Sequence, residues 1–293
     1  MSTKSIVDSQ VVIIAGKGGV GKTTIAGAVA LAAADTGRDV LIVEVDGSRA
    51  TRRLLSVPDA GVEPMPSPSY GERLMVAAID PTEALALYLE EHGLGRFGSR
   101  LARSGTLELI ATATPGIPDL VLLGRLRQLA DQHSDRLVIV DGPAAGHAIA
   151  LLSTPADIID AVDTGRIRDQ AEASLAFLSD QDRVTVNLVT LPQTTPVNET
   201  IEAAFTIEER LGVRLGPMIV NMVEPELPDS GSYGSRSSSA RFLAERISSE
   251  GAEIERLRAE LPLPHLITSR LDVAPSGPDE LAPLVAALME TPS

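Results

Sequence analysis

Residues 16–24 have the sequence Gly16-Lys17-Gly18-Gly19-Val20-Gly21-Lys22-Thr23-Thr24. This segment fits the phosphate-loop pattern G-x-x-x-x-G-K-[ST], with Gly16 as its first glycine and Lys22 as its lysine. It also contains two of the three lysines in the chain, which otherwise uses arginine for positive charge. Because the compact ammonium of lysine fits among phosphate oxygens more easily than a planar guanidinium, this placement favours phosphate binding.

The residues on either side of the segment strengthen this interpretation. Val11 to Ala15 is an apolar, β-branched run typical of a buried parallel strand, and Thr23 to Asp35 is a run of small residues typical of a helix. Between a strand and a helix, the glycines let backbone N–H groups point inward, and a phosphate binds at the helix N-terminus. We therefore predict that ATP contacts Gly16, Gly18, Gly19, Val20, Gly21, Lys22, Thr23 and Thr24.

Two aspartates, Asp46 and Asp141, directly follow mostly apolar runs that end in valine. In open α/β sheets, ligands bind outside the carboxyl ends of the strands. We expect Lys22 to bridge the β- and γ-phosphates, the Thr23 hydroxyl to ligate Mg²⁺, and Asp141 to support Mg²⁺ through water. Asp46 is then available to orient or deprotonate the attacking water. Asp80 precedes a proline, and we interpret it as the start of a helix.

Lys17 is a second lysine on the same loop, next to the first glycine. While Lys22 occupies the γ-phosphate, Lys17 cannot easily reach the nucleotide of its own subunit. The physical use of such a residue is to reach the nucleotide of a partner subunit and neutralise charge on the leaving group, as an arginine finger does. We therefore predict that Lys17 and Asp46 are catalytic and that the active form is a dimer.

Strand and helix patterns alternate along the chain, which predicts an α/β fold with a mostly parallel β-sheet flanked by helices. Further strands are expected at 40–45, 74–79, 137–140, 184–190, 217–220 and 263–267. Further helices are expected at 198–211, about 240–258 and 279–289. We also expect a helical elaboration at about 82–132 and 145–180, and a mobile loop at about 224–239, which is rich in Pro, Gly and Ser. No internal repeat is visible, so residues 1–293 are predicted to form one P-loop ATPase domain.

Composition limits the possible function classes. The 293 residues are 44% hydrophobic and 22% charged, and no apolar run approaches the length of a membrane-spanning helix. The first ten residues are polar and too short for a secretory signal, so we expect a cytoplasmic protein without stable membrane insertion. A net charge of −15 and an aromatic content of 2% disfavour nucleic-acid binding. Because the chain has no cysteine, disulfides and thiolate metal sites are excluded.

The loop sequence Gly-Lys-Gly-Gly-Val-Gly-Lys-Thr-Thr resembles the deviant Walker A motif. This motif occurs in the arsenite-pump ATPase ArsA, the tail-anchored-protein targeting ATPase of the GET pathway, MinD, ParA and related proteins. Three further stretches resemble the ArsA/GET branch: Asp141-Gly-Pro-Ala-Ala-Gly-His147 with the run to Pro155, Val189 to Thr200, and Ile219-Val-Asn221. The chain looks closest to short actinobacterial ArsA-like proteins, which often occur as paralogous pairs.

This resemblance implies a specific set of roles. It makes Asp46 the catalytic aspartate of switch I, places Gly146 and His147 in switch II, and makes Asn221 the residue that reads adenine through its side-chain amide. It also implies a homodimer, or a heterodimer with a paralogous ATPase, that couples ATP binding and hydrolysis to the binding of a client or partner, for example a protein. Targeting ATPases of this branch commonly join their dimer through zinc on paired cysteines, and ArsA binds arsenite through thiolates. Neither is possible in a chain without cysteine.

Two alternatives belong to other functional classes. A MinD- or ParA-like positioning ATPase needs a basic C-terminal helix or a basic face, whereas residues 278–293 contain acids and no Lys or Arg. A structural half of a heterodimer would not need hydrolysis. The intact set of loop lysines and strand-end aspartates favours an active ATPase over that alternative.

Overall fold

The computed structural model describes residues 6–45, 47–58, 63–79, 84–85, 116–225 and 238–289. Its strands, in chain order, are β1 (Val11–Gly16), β2 (Val40–Glu44), β3 (Met65–Ser67), β4 (Gly71–Ala78), β5 (Leu137–Ala144), β6 (Val184–Thr190), β7 (Met218–Val223) and β8 (His265–Ser269). Its α-helices are α1 (Lys22–Asp35), α2 (Ala50–Leu54), α3 (Ile117–Gln132), α4 (Ala145–Ala161), α5 (Arg166–Leu178), α6 (Thr194–Phe205), α7 (Ser238–Glu260) and α8 (Ala282–Met289). A π-helical turn, Thr206–Arg210, continues α6, and a 3-10 turn, Pro278–Leu281, precedes α8.

The eight strands form one sheet in the order β3-β4-β2-β5-β1-β6-β7-β8. All neighbouring strands run parallel except β3 and β4, which form an antiparallel pair at one edge. This confirms the predicted α/β class. Strand β1 lies between β5 and β6, so the loop that follows it emerges from the middle of the sheet. Parallel strands present their carboxyl ends at one edge, where ligands bind in folds of this kind.

The helices cover both faces of the sheet, as the run of buried strands requires. One hydrophobic cluster packs α1, α2 and α8 against one face, and includes Val12 and Ile14 of β1. The other cluster packs α3 to α7 against the opposite face, and includes Val11 and Ile13. Each fully buried leucine or isoleucine in these clusters contributes about 1.5 to 3 kcal/mol through removal of its apolar surface from water.

Helix α1 is buried on all sides from Ile25 to Ala34. A helix that is apolar around its whole circumference is stable in water only inside a core. Its small side chains allow close packing, and Gly27 faces Leu54 of α2 and Leu281 next to α8. The phosphate loop is thus attached to the most enclosed helix of the fold, which fixes the direction of the helix N-terminus.

Several element boundaries differ from the sequence-based expectations. Helix α6 begins at Thr194 rather than at residue 198, because proline is compatible with the first turn of a helix and Pro196 therefore does not delay the start. Strand β5 extends to Ala144, past Asp141. The edge strand β3 and helix α2 were not predicted. Most of the expected elaboration at 82–115 and of the expected loop at 224–239 lies outside the described residues.

Within the described ranges, no helix is both long enough and apolar enough to cross a membrane. Helix α7 is the longest at 23 residues, but it contains many charged side chains.

Helix α8 provides a test of the packing on the α1 face. Leu284 is 2% exposed in the core beside α1, whereas Met289 on the same helix is 53% exposed. We expect Leu284→Ala to lower the free energy of unfolding by about 2 to 5 kcal/mol, because it leaves a cavity. Met289→Ala should change it by less than about 0.5 kcal/mol. Chemical denaturation measures both, and equal small effects would show that α8 is not docked on the core.

Candidate active site

The loop between β1 and α1 is held in place by two close backbone contacts. Gly16 pairs with Val189 of β6, and a Cβ atom at Gly16 would lie 2.2 Å from the Val189 carbonyl oxygen. Gly21 has a φ of 89°, and a Cβ atom there would lie 2.4 Å from Nδ2 of Asn221. A side chain at Gly16 would therefore collide with backbone, whereas a side chain at Gly21 would require a strained φ and a shift of the Asn221 amide. Within the loop, the two glycines that define the sequence pattern are the two at which an added Cβ atom would lie closer than 3 Å to a neighbour.

The predicted nucleotide-binding residues of this loop lie together at the start of α1. Gly18 and Gly19 are exposed, and a Cβ atom at either would meet no neighbour within 4 Å, so space is open beside the backbone. Thr23 and Thr24 are half-buried in the first helical turn, and Gly21 provides no side chain to cap it. The first N–H groups of a helix have no partner within the helix, and their dipoles favour an anion. This arrangement suits a phosphate group.

The two loop lysines point to different partners. Nζ of Lys22 donates to the carbonyl oxygen of Lys17 at 3.2 Å, so this ammonium lies over the loop itself. Nζ of Lys17 instead lies 2.6 Å from Oε1 of Glu199 on α6. Both partners of this ion pair are about 40% exposed, so water and salt screen it and its contribution to stability is about 0 to 1 kcal/mol. Lys17 is therefore held only weakly outside the loop.

Lys17 also lines an open cleft of about 440 Å³ between the phosphate loop, α4 and α6. The cleft includes Gly18, Gly146 at the start of α4, and Glu202 of α6. His147 is exposed on the same turn of α4, and its Nε2 lies 3.6 Å from Oδ1 of Asp119 on α3. Burial raises the pKa of Asp119, and the nearby His147 opposes that rise. The segment predicted as switch II thus lies beside the loop lysine.

Asp141 is 2% exposed near the end of β5. Its Oδ2 accepts a hydrogen bond from the Thr51 hydroxyl at 2.8 Å, which ties the carboxylate to α2. Its Cα atom pairs with Ile14 of β1 and Glu44 of β2, so Asp141 stands one strand away from the phosphate loop. Its predicted role, to support Mg²⁺ through water, stays a prediction. Asp46, predicted to act on the attacking water, lies outside the described residues.

Asn221 on β7 connects the phosphate loop to the neighbouring strand β8. Its Nδ2 donates to the Val20 carbonyl oxygen at 2.8 Å, and its Oδ1 accepts from the Thr268 hydroxyl at 2.8 Å and from the Met222 N–H at 2.9 Å. The residue is 2% exposed. In this conformation its amide braces the phosphate loop, while its predicted contact with adenine stays a prediction.

Several of these contacts were not foreseen from the sequence. Glu199, Thr51 and Thr268 lie far along the chain from the residues they contact, and no local pattern distinguishes a threonine or a glutamate that makes such a bond. Glu44 could have been identified as a candidate from the sequence, because it is a charged residue that directly follows the apolar run Val40-Leu-Ile-Val. Its side chain is fully buried.

Comparison with known proteins agrees with this geometry. Residues 9–171 match the family model described as anion-transporting ATPase, ArsA_ATPase, over more than half of the chain. The chain belongs to the ArsA ATPase family. The matched range contains the phosphate loop, the Asp46 segment and Asp141, so the resemblance found in the motifs is confirmed.

Several members of this family share moderate sequence identity with this chain. The ATPase BagA of Mycobacterium tuberculosis is 32% identical over 220 residues, which cover 71% of this chain and 64% of BagA. Arsenical pump-driving ATPases of Escherichia coli and Acidiphilium multivorum are 28% and 27% identical over 264 residues. In both, the match covers 84% of this chain and 43% of the relative. The chain thus spans less than two thirds of the length of these ArsA-family relatives.

The contact between Gly21 and Asn221 leads to a matched test. Gly21→Ala and Gly37→Ala both place a side chain at a φ near +88°, at opposite ends of α1, but only Gly21 faces another side chain at close range. Each should lose about 1 to 2 kcal/mol of stability from the left-handed backbone. We expect Gly21→Ala alone to weaken ATP binding, by about 10-fold or more, because it displaces Asn221 and the loop. Fluorescent ATP titration measures this, and equal affinities for the two variants would contradict the bracing role.

Proposed function

We propose that this protein is a magnesium-dependent ATPase that forms a dimer when it binds ATP and couples hydrolysis to the binding of a protein client. The proposal rests mainly on one observation, which is that the two lysines of the phosphate loop contact different partners. Lys22 lies over the loop that faces the helix N-terminus, and Lys17 extends from the same loop to a weak surface ion pair. Membership of the ArsA family and the ATPase names of its relatives support hydrolysis of ATP.

The residues at the site fit ATP with Mg²⁺. The described residues contain no group of three or more His, Asp or Glu able to hold a metal by themselves. Mg²⁺ does not need such a group, since it usually binds one or two carboxylates together with substrate phosphates and water. The Thr23 hydroxyl would be one ligand and Asp141 would act through water. When bound, Mg²⁺ would neutralise negative charge on the phosphates.

The chain's own groups account for the remaining requirements of hydrolysis. Lys22 and the backbone N–H groups from Gly18 to Thr23 bind and orient the phosphates, where the helix dipole favours negative charge. Asp46 accepts a proton from the attacking water or orients it. Lys17 of one subunit stabilises charge on the leaving group in the other subunit, as an arginine finger does. This last role explains why a loop that already has Lys22 carries a second lysine.

A dimer is proposed because Lys17 is accessible to a second subunit. Its ion pair with Glu199 is exposed and weak, so an ATP phosphate of a partner can replace the carboxylate at little cost. The partner is a second copy of this chain or a paralogous ATPase. Loss of the γ-phosphate then changes the segments at positions 46–51 and 141–147, and these changes reach the surface formed by α4 and α5, where a client would bind.

Two variants of the same loop separate binding from catalysis. Lys22→Ala should abolish ATP binding, since the main cationic contact with the phosphates is lost. Lys17→Ala should bind ATP within about threefold of the wild type, because Lys22 and the loop backbone remain, but should lose most hydrolysis. Fluorescent ATP titration and phosphate release measure the two effects. Unchanged affinity in Lys22→Ala would contradict the assignment of the phosphate loop, and full activity in Lys17→Ala would contradict its catalytic role.

A further inference from the structure

Glu44 is a completely buried carboxylate at the end of β2, next to the proposed magnesium site. Its Oε1 accepts hydrogen bonds from the Ser48 hydroxyl at 3.0 Å and from the Thr51 N–H at 3.2 Å. Its Oε2 has no hydrogen-bond partner in the described part of the chain. An ionised carboxylate with an unpaired buried oxygen is unfavourable by itself, so its presence calls for a compensating group.

Glu44 and Asp141 lie side by side. Their Cα atoms are partners in the parallel ladder between β2 and β5, so their side chains leave the same face of the sheet. The alternation of buried residues identifies that face. Ile42 and Ile139, two positions earlier in each strand, belong to the cluster around α1, the helix that begins with Lys22 and Thr23. Both carboxylates therefore project on the side of the proposed magnesium ligand Thr23.

Thr51 connects the two carboxylates directly. Its backbone N–H donates to Glu44 and its hydroxyl donates to Asp141, and the residue has no exposed surface. The threonine thereby holds Asp141 in one orientation relative to β2. The contacts of Glu44 with Ser48 and Thr51 link the end of β2 to α2. Thr51 and Glu44 therefore join the end of β2 and the start of α2 to Asp141.

The charges in this group favour a cation. Two carboxylates in one buried site repel each other, and each loses hydration. Arg52, the next residue in α2, is also buried, and Lys22 begins α1 on the same side of the sheet. A divalent cation close to Asp141 would reduce the repulsion between the two carboxylates. Within the described residues, Oε2 of Glu44 is a buried acceptor without a hydrogen-bond donor.

We propose that Glu44 is a positioning residue of the magnesium site, which acts through Thr51 to orient Asp141 and adds a second negative charge that strengthens Mg²⁺ binding. This inference rests on the proposed ATPase function and deepens it. According to this inference, Glu44 and Thr51 affect the binding of Mg²⁺ and not the binding of the nucleotide itself. Mutation of such outer partners of a metal ligand typically lowers metal affinity about 10- to 100-fold.

The test compares ATP binding with and without Mg²⁺. A fluorescent ATP analogue is titrated in EDTA and over a range of Mg²⁺ concentrations, and the Mg²⁺ concentration at half-maximal enhancement is measured. Glu44→Gln retains an oxygen acceptor for Ser48 and Thr51 but removes the charge, and Thr51→Val removes only the bridge to Asp141. Each should raise the half-maximal Mg²⁺ concentration about 10-fold, with affinity in EDTA within about twofold of the wild type.

Two variants serve as controls. Thr51→Ser keeps the hydroxyl and should restore most of the Mg²⁺ affinity lost in Thr51→Val. Thr185→Val removes a buried threonine hydroxyl that lies 2.5 Å from the Ser9 hydroxyl, near the amino end of β6 and away from the nucleotide. It should match the wild type in Mg²⁺ dependence, and thermal unfolding shows that each variant is folded. If Glu44→Gln does not fold, the inference is tested by comparing the half-maximal Mg²⁺ concentrations of Thr51→Val and Thr51→Ser.

The outcomes are distinguishable. Wild-type Mg²⁺ dependence in both Glu44→Gln and Thr51→Val would overturn the inference, and so would an equal loss of affinity in EDTA and in Mg²⁺, which would indicate a general brace of the loop. Wild-type protein that binds no ATP under any condition would contradict the proposed function itself. A selective rise in the Mg²⁺ requirement that Thr51→Ser reverses supports the inference.

Discussion

The close approach of the phosphate loop to strands β6 and β7 is the constraint on which the rest of the site depends. An added Cβ atom would lie 2.2 Å from the Val189 carbonyl oxygen at Gly16 and 2.4 Å from the Asn221 amide at Gly21. Between these two points Gly18 and Gly19 are exposed, and Nζ of Lys22 donates to the carbonyl oxygen of Lys17. The buried α1 then fixes the direction of the helix dipole that favours a phosphate.

The order of strands completes the site around that loop. Because β1 lies between β5 and β6, the sheet places Asp141 on one side of the loop, and Asn221 reaches it from β7 on the other. The loop, the acid and the amide are far apart in sequence, yet each lies at or near the carboxyl end of a parallel strand, and these ends share one edge of the sheet. Contacts from side chains on α2, α6 and β8 then hold each of them: Thr51 holds Asp141, Glu199 holds Lys17, and Thr268 holds Asn221.

The phosphate loop and the buried strands could be predicted from the sequence, because neighbouring residues in the chain determine them. The phosphate loop has its glycines at the spacing of a known pattern, and Asp141 directly follows the apolar run 137–140, which is typical of a buried strand. The edge strand β3 and the five-residue α2 could not be predicted, because elements this short carry too few residues to show a period. The contacts of Glu199, Thr51 and Thr268 depend on the tertiary fold, and no local signal encodes them. Glu44 is the exception, since a charge that ends an apolar strand was visible in the sequence.

The central claim is that Lys17 acts on the nucleotide of a partner subunit. Mixing Lys17→Ala with Asp46→Asn measures this directly, because a mixed dimer has one composite site with both groups intact. If pairing is random, phosphate release should recover to about a quarter of the wild-type rate, although each variant alone is inactive. No recovery, in a mixture where cross-linking demonstrates mixed dimers, would contradict the account.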